Sequence, residues 1–250
     1  MYELALVGVG SANPDHLTRQ AIRALGAADL VLIPHKGSEK ADLAALRQRL
    51  LATLFDTPPP ARLFEMPVRR GEDPDYRASV DDWHDAVAAR WRESLAAALP
   101  EGGRIALMIW GDPSLYDSSL RIAERLRAAG LPLAVTVVPG LTSLQLLTAA
   151  HAIPLNDLAA PVLITTGRRL AGGWPEGADR VAVMLDGGCA FQTLDPAGIR
   201  IWWGAYLGMV EEIRDAGPLA AAGPRILATR AAARARHGWI MDVYLLARSR

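Results

Sequence analysis

Short runs of apolar residues, bounded by bends and separated by amphipathic stretches, constrain this chain more than any other feature. In the first half they are Glu3–Val9, Leu30–Ile33, Arg62–Met66, Arg104–Ile109 and Leu133–Val138. The stretches between them, Asn13–Gly26, Asp42–Phe55, Tyr76–Leu99 and Asp117–Ala129, carry apolar residues at helical spacing, such as Leu43, Leu46, Leu50 and Leu54. A strand apolar at nearly every position is buried on both faces. The βαβα rhythm therefore predicts an α/β fold with a parallel sheet covered by helices on each side. Asn13 with Pro14 marks the start of the first helix and Gly26 its end.

Pro139-Gly140 breaks this rhythm. Thr142 and Gln145 have the spacing of a capping box and open a helix over 141–150. Later apolar runs, Val162–Thr165, Val181–Leu185, Ile199–Trp203 and Trp239–Leu246, are joined by glycine-rich bends and predict a smaller, mixed α/β domain. The Ala/Arg-rich stretch 211–236 reads as helix. Two domains are expected, 1–139 and 140–250, and 250 residues suffice for both cores.

Composition excludes several function classes. Lys+Arg and Asp+Glu both number 27, so the formal charge is zero and no general nucleic-acid footprint is expected. Of the basic residues, 25 are arginine; Lys36 and Lys40 are the exceptions. Arginine suits carboxylate recognition, although base composition of the genome produces the same bias. One cysteine, Cys189, excludes an internal disulfide and a multi-cysteine metal site. The start, MYELALVGVG, has neither a basic segment nor an apolar stretch of membrane length, so a cytoplasmic protein without membrane attachment is expected.

In open α/β sheets, ligands bind beyond the carboxyl ends of the strands. Four bends fall there: Gly8–Asn13 (GVGSAN), Pro34–Gly37 (PHKG), Trp110–Tyr116 (WGDPSLY) and Pro139–Ser143 (PGLTS). The first is no dinucleotide fingerprint. Asn13 stands where the third glycine belongs, and His35 stands where an acid would meet a ribose. No Walker loop, GxSxG elbow or metal-ligand spacing occurs, and no metal is expected. His35 ends a strand at the ligand edge and is a candidate acid or base, against the alternative of a structural histidine. His151 stands late in a helix, and His16 and His84 are expected on helix surfaces. Cys189 has no evident base beside it. Trp202, Trp203 and Trp239 read as core or as walls for a flat ligand.

Taken together, these bends closely resemble the tetrapyrrole (precorrin) methyltransferase family from end to end. The family's first loop matches Gly8–Thr18 (GVGSANPDHLT), with Ser11, Ala12 and Asn13 replacing the usual Pro-Gly-Asp. Its GDPSxY loop matches Gly111–Tyr116 without departure. Its helix start matches Pro139–Ser143, and its I-P-L matches Ile153–Leu155, with Ala152 in place of glycine. Its strand ending in Met matches Val181–Met184. Within the family, Trp110–Ser118, Ile164–Leu170, Gly204–Met209 and Gly238–Leu246 resemble the deacetylating branch of cobalamin biosynthesis.

The resemblance implies the two-domain tetrapyrrole methylase fold, an N-terminal parallel sheet flanked by helices and a C-terminal mixed α/β domain, with the active-site trough between them, and a homodimer. It implies S-adenosyl-L-methionine as cofactor, held by Gly10, Ser11, Trp110, Gly111, Asp112, Leu115, Tyr116, Thr142, Ser143, Met184 and Leu207. The expected substrate is a polycarboxylate tetrapyrrole, with Arg69, Arg70, Arg168 and Arg169 as anchors. Methyl transfer to a nucleophilic ring carbon needs alignment more than acid–base help. Expelling acetate needs a base, for which Asp112 and His35 are nominated. The alternatives are another precorrin or uroporphyrinogen methyltransferase, or a non-enzymatic sensor of the same cofactor.

Overall fold

The computed structural model describes residues 1–35, 41–68 and 76–248. Lys36, Gly37, Lys40, Arg69 and Arg70 lie outside the described residues. The chain forms two compact units, Met1–Thr142 and Ser143–Arg250.

The first unit holds β1 (Tyr2–Gly8), α1 (Arg19–Gly26), β2 (Leu30–His35), α2 (Ala41–Leu54), β3 (Ala61–Glu65), α3 (Tyr76–Ala98), β4 (Gly103–Ile109), α4 (Ser119–Ala128) and β5 (Leu133–Val138). The strands pair in the order β3-β2-β4-β1-β5, all parallel. Side-chain alternation splits the sheet's apolar residues between two cores. Leu4, Leu6, Leu32 and Leu107 pack with Trp91 and Leu95 of α3 and Ile122 of α4. Val7, Val31, Ile33 and Met108 pack with Leu25 of α1 and Leu50 and Leu51 of α2. Both faces are covered along β1, β2 and β4, which explains why these strands read as continuous apolar runs; the edge strands β3 and β5 leave Leu63 and Val137 exposed.

The first helix is not continuous. Asn13 caps a 3-10 turn over Pro14–His16, its Oδ1 accepting from Asp15 N at 3.0 Å. Leu17 and Thr18 are then extended, and Thr18 caps α1 through Ala21 N at 3.0 Å. Two capping side chains in succession favour two short turns over one helix.

The second unit holds α5 (Ser143–His151), β6 (Val162–Thr166), α6 (Gly167–Leu170), β7 (Arg180–Met184), β8 (Ile199–Ala205), β9 (Ile213–Pro218), α7 (Leu219–His237) and β10 (Asp242–Arg248). The sheet order is β6-β7-β10-β8-β9; β6 and β7 are parallel, and the other neighbours antiparallel. A mixed sheet was expected from the sequence. Reading 211–236 as one helix is corrected, since Ile213–Pro218 forms an edge strand on β8 and helix starts only at Leu219. Trp239 precedes β10 instead of lying in it. Its core joins Val181, Ile201 and Trp203 to Ile226 of α7 and to Phe191, whose ring meets Tyr244 edge-on at 5.3 Å.

Three glycines set the carboxyl edge of the first sheet. A Cβ on Gly140 would stand 2.4 Å from Gly111 O and 2.8 Å from Gly8 Cα, and one on Gly8 would stand 2.6 Å from Gly140 N. These obstacles are backbone and cannot swing aside. Gly140→Ala is expected to cost about 1–3 kcal/mol by overpacking. Gly187→Ala, where a Cβ meets nothing within 4 Å, is expected to stay within about 0.5 kcal/mol. Urea denaturation of both variants checks the contrast.

Candidate functional site

The bends after β1, β4 and β5 meet at this glycine contact. Gly10 and Gly111 exchange backbone hydrogen bonds, Gly111 N to Gly10 O at 2.8 Å and Gly10 N to Gly111 O at 3.2 Å. Both have φ in the left-handed region, +57° and +66°, which glycine adopts without steric cost. A Cβ on Gly111 would approach Thr142 Cα only to 3.9 Å, so the third bend lies alongside.

Asp112 fastens these bends together. Its Oδ2 accepts from Gly140 N at 2.9 Å, and its Oδ1 accepts from Ser114 N at 2.8 Å and from the Ser114 hydroxyl. Burial pushes its carboxyl pKa up, but the hydrogen bonds from Ser114 and Gly140 outweigh this and hold it below the ordinary carboxylate range. A carboxylate so engaged is a poor proton acceptor. The nomination of Asp112 as a base meets this obstacle, and the geometry gives it a positioning role.

The nominated residues divide between the units. Gly10, Ser11, Trp110, Gly111, Asp112, Leu115, Tyr116 and Thr142 lie along the carboxyl edge of the first sheet. Ser11 is buried, and its hydroxyl has no partner. Tyr116 is 45% exposed with φ +53°. Ser143, Met184 and Leu207 belong to the second unit. There β7 and β8 each run antiparallel to β10, so Met184, the last residue of β7, and Leu207, just past β8, stand at one edge of that sheet. Leu207 is buried and fills the space a Cβ on Gly204 would need, 2.6 Å away.

His35 is half-buried at the end of β2, its carbonyl accepting from Met66 N at 2.8 Å. Alternation from Val31 and Ile33 places it on the α1 and α2 face. Arg168 and Arg169 are exposed on α6. His151 Nε2 lies 3.0 Å from the Trp203 carbonyl, tying α5 to β8. His84 corrects the surface expectation: it is 3% exposed, neither ring nitrogen has a partner, and burial lowers its pKa. Cys189 is buried at φ +56°, and burial pushes its thiol up to about 11, unsuited to nucleophilic work at neutral pH.

Sequence reasoning did not single out two groups. In the second unit, Asp186 accepts from the Tyr244 hydroxyl and from Ala190 N and Gly188 N, while Asp242 pairs with Arg230 at 2.8 Å and accepts from Trp203 Nε1 at 2.9 Å. This network fixes the bend beyond Met184. In the first unit, a cavity of about 320 Å³ lies against α2, α3 and α4 beneath the 110–119 bend, with Arg47 in its wall. Burial pushes the Arg47 pKa down to about 10.

The role of Asp112 is open to test. With its folded-state pKa below the unfolded value of about 4, it stabilises the fold at neutral pH, and that stabilisation is lost as pH falls through the folded-state value. Asp112→Ala, leaving buried donors unpaired, is expected to cost about 1–3 kcal/mol at pH 7. The gap to wild type should close on acidification, measured by denaturation at a series of pH values.

The chain is similar to known proteins over almost its whole length. Residues 3–234 match Tetrapyrrole (Corrin/Porphyrin) Methylases. The chain is 49% identical to the deacetylating precorrin-6A synthase of Sinorhizobium sp over 249 residues, covering 98% of this chain and 95% of that one. The crystal structure of a cobalamin synthesis related protein from Corynebacterium diphtheriae superposes with a TM-score of 0.84 at 34% identity, covering 99% of both chains. Uroporphyrin-III C-methyl transferase from Thermus thermophilus, solved with S-adenyl homocysteine, shares the fold at TM-score 0.60 and 20% identity, covering 98% of this chain and 97% of that one. By its sequence and by both of its sheets, this chain belongs to the tetrapyrrole methylase family.

Proposed function

We propose that this chain is the S-adenosylmethionine-dependent C-methyltransferase of cobalamin biosynthesis that methylates ring carbon one of precorrin-5 and releases acetate, giving precorrin-6A. End-to-end likeness to the Sinorhizobium enzyme, 49% over 98% of the chain, carries this reading. We assign it to a cytoplasmic homodimer. Among the described residues no helix is long and apolar enough to cross a membrane.

The residues at the first sheet's edge suit the cofactor. The bridged pair Gly10 and Gly111 offers backbone bare of side chains, and the orphaned Ser11 hydroxyl is a buried group in want of a polar partner. S-adenosylmethionine, when bound, supplies a methyl group on a positively charged sulfur. Gly10, Ser11, Trp110, Gly111, Leu115, Tyr116, Thr142, Ser143, Met184 and Leu207 are assigned to hold it, and Asp112 holds the bends that carry the first of these. Alignment alone can lower such a barrier by roughly 7–11 kcal/mol.

Deacetylation asks more. Water adds to the acetyl carbonyl and gives up a proton to a base. The bond to the ring carbon breaks, acetate leaves, and the bonding pair stays with the macrocycle, where it is available to the incoming methyl. His35, half-buried at the end of β2, is the remaining nominee for that base, and Arg168 and Arg169 are assigned to substrate carboxylates.

Mass spectrometry of products from precorrin-5 should show one added methyl and free acetate. Calorimetry showing no affinity for S-adenosylmethionine would sink the reading. His35→Ala is expected to slow acetate release by about 100-fold or more, the usual contribution of a general base; an unchanged rate removes His35 from that role. Asp112→Asn is expected to weaken cofactor binding while leaving the shape of the pH–rate profile intact.

A further inference from the structure

The cavity beneath the 110–119 bend contains a cation that, among the described residues, no carboxylate contacts. Arg47 of α2 is 5% exposed. Its guanidinium stacks on the Trp110 indole, 4.6 Å from the ring centroid. One terminal nitrogen makes a long bond, 3.4 Å, to the Leu43 carbonyl of its own helix, and the buried Nε has no partner. Among the described residues, no carboxylate forms an ion pair with it. Asp117, the acid that shares the cavity wall, favours the charged guanidinium from a distance but forms no ion pair with it, and accepts from Ser119 N at 2.7 Å; burial outweighs its effect. The indole N–H groups of Trp91 and Trp110, in the same wall, are also buried without an acceptor.

An isolated buried charge costs several kcal/mol unless something pairs with it. All three orphaned groups are donors with no accepting capacity, so what satisfies them brings lone pairs. A unit negative charge also neutralises the guanidinium. The wall otherwise includes Phe64, Met66, Leu107 and Ile122, and apolar surface of this kind excludes a strongly hydrated dianion. The volume, about 320 Å³, lies within the range of small-molecule sites. We propose that this cavity binds a monocarboxylate on a small apolar body, its carboxylate paired with Arg47 and its body against the surrounding aromatic side chains.

The pocket stands on this geometry alone; the source of its ligand rests on the function proposed above. Two sources there share the chemistry: the acetate released on deacetylation and a carboxylate arm of the macrocycle.

The test uses the full chain without cofactor, titrated with acetate, benzoate, benzamide, inorganic phosphate and uroporphyrin III. Binding is followed by tryptophan fluorescence and by the Arg47 Nε–H resonance, identified by its loss in Arg47→Met. Benzoate should shift that resonance saturably. Benzamide and phosphate should bind at least tenfold more weakly, and Arg47→Met should weaken benzoate by about tenfold or more, the measure of a lost charge-assisted hydrogen bond. Arg47→Met removes a buried charge that no carboxylate of the described residues contacts and leaves an apolar side chain, so it should fold with unchanged or higher melting temperature. Saturation by acetate assigns the free acid as source; a shift with uroporphyrin III and none with acetate assigns the macrocycle's arm. If no carboxylate moves the resonance, the cavity holds water only and the proposal falls. It falls equally if Arg47→Met binds benzoate as tightly as wild type, or if phosphate binds better than benzoate. Calorimetry with S-adenosylmethionine tests the methyltransferase reading separately, so either can fail alone.

Discussion

The first unit depends on backbone meeting backbone at Gly8, Gly111 and Gly140. Side chains normally keep bends after parallel strands apart. Here their absence lets three of them touch, with would-be Cβ atoms on Gly8 and Gly140 2.4–2.9 Å from neighbouring main chain. The contact has little adhesive energy of its own. Its strength comes from Asp112, whose carboxylate takes a backbone N–H from the far bend and closes its own bend through Ser114. A charged acceptor makes such bonds stronger than neutral pairs do. The edge is thereby held in one arrangement before any ligand arrives.

That arrangement decides what Asp112 can do. A carboxylate at the end of a buried strand reads equally well as a base or as a clasp, and the sequence does not choose between them. Its hydrogen-bond partners do. Three donors on one carboxylate favour the charged form and lower its appetite for a proton. The remaining chemistry at this edge is presentation of backbone, the Ser11 hydroxyl and the Tyr116 ring. This suits a reaction whose reactants already hold the needed electron pair and leaving group.

The parts of the fold legible in the sequence were those whose own residues carry the signal. β1, β2, β4 and β5 are apolar on both faces, and Leu133–Val138 forms a strand over the range its composition predicts. β9 carries no such signal. IRDAGP contains a charge pair, a glycine and a proline, and it is a strand because β8 offers it a free edge; strand propensity at an edge depends on the neighbour. α1 was read as running from Asn13 because a capping side chain cannot announce that a second one will follow. His84 shows the same limit, since a polar residue on an amphipathic helix gives no notice that α4 packs over it. At the site, the bends and their glycines were visible, and the partners of Asp112 were not. Arg47 did leave a trace. Leu43, Arg47, Leu50 and Leu54 follow helical spacing, so the arginine occupies a core-facing position of α2.

Trp110 connects these two features. Its main chain leads into the clasped bend, and its indole forms one wall of the cavity and stacks on Arg47. A guanidinium over an indole face is attracted by the ring quadrupole, more strongly where water is excluded. Arg47 on α2 and the bend after β4 are therefore mechanically joined. An anion that draws the guanidinium toward itself alters the stack, and the stack ends one residue before the left-handed Gly111. The same fold thus presents a rigid edge on one side of the bend and, on its inner side, a buried charge stacked on the residue that leads into it.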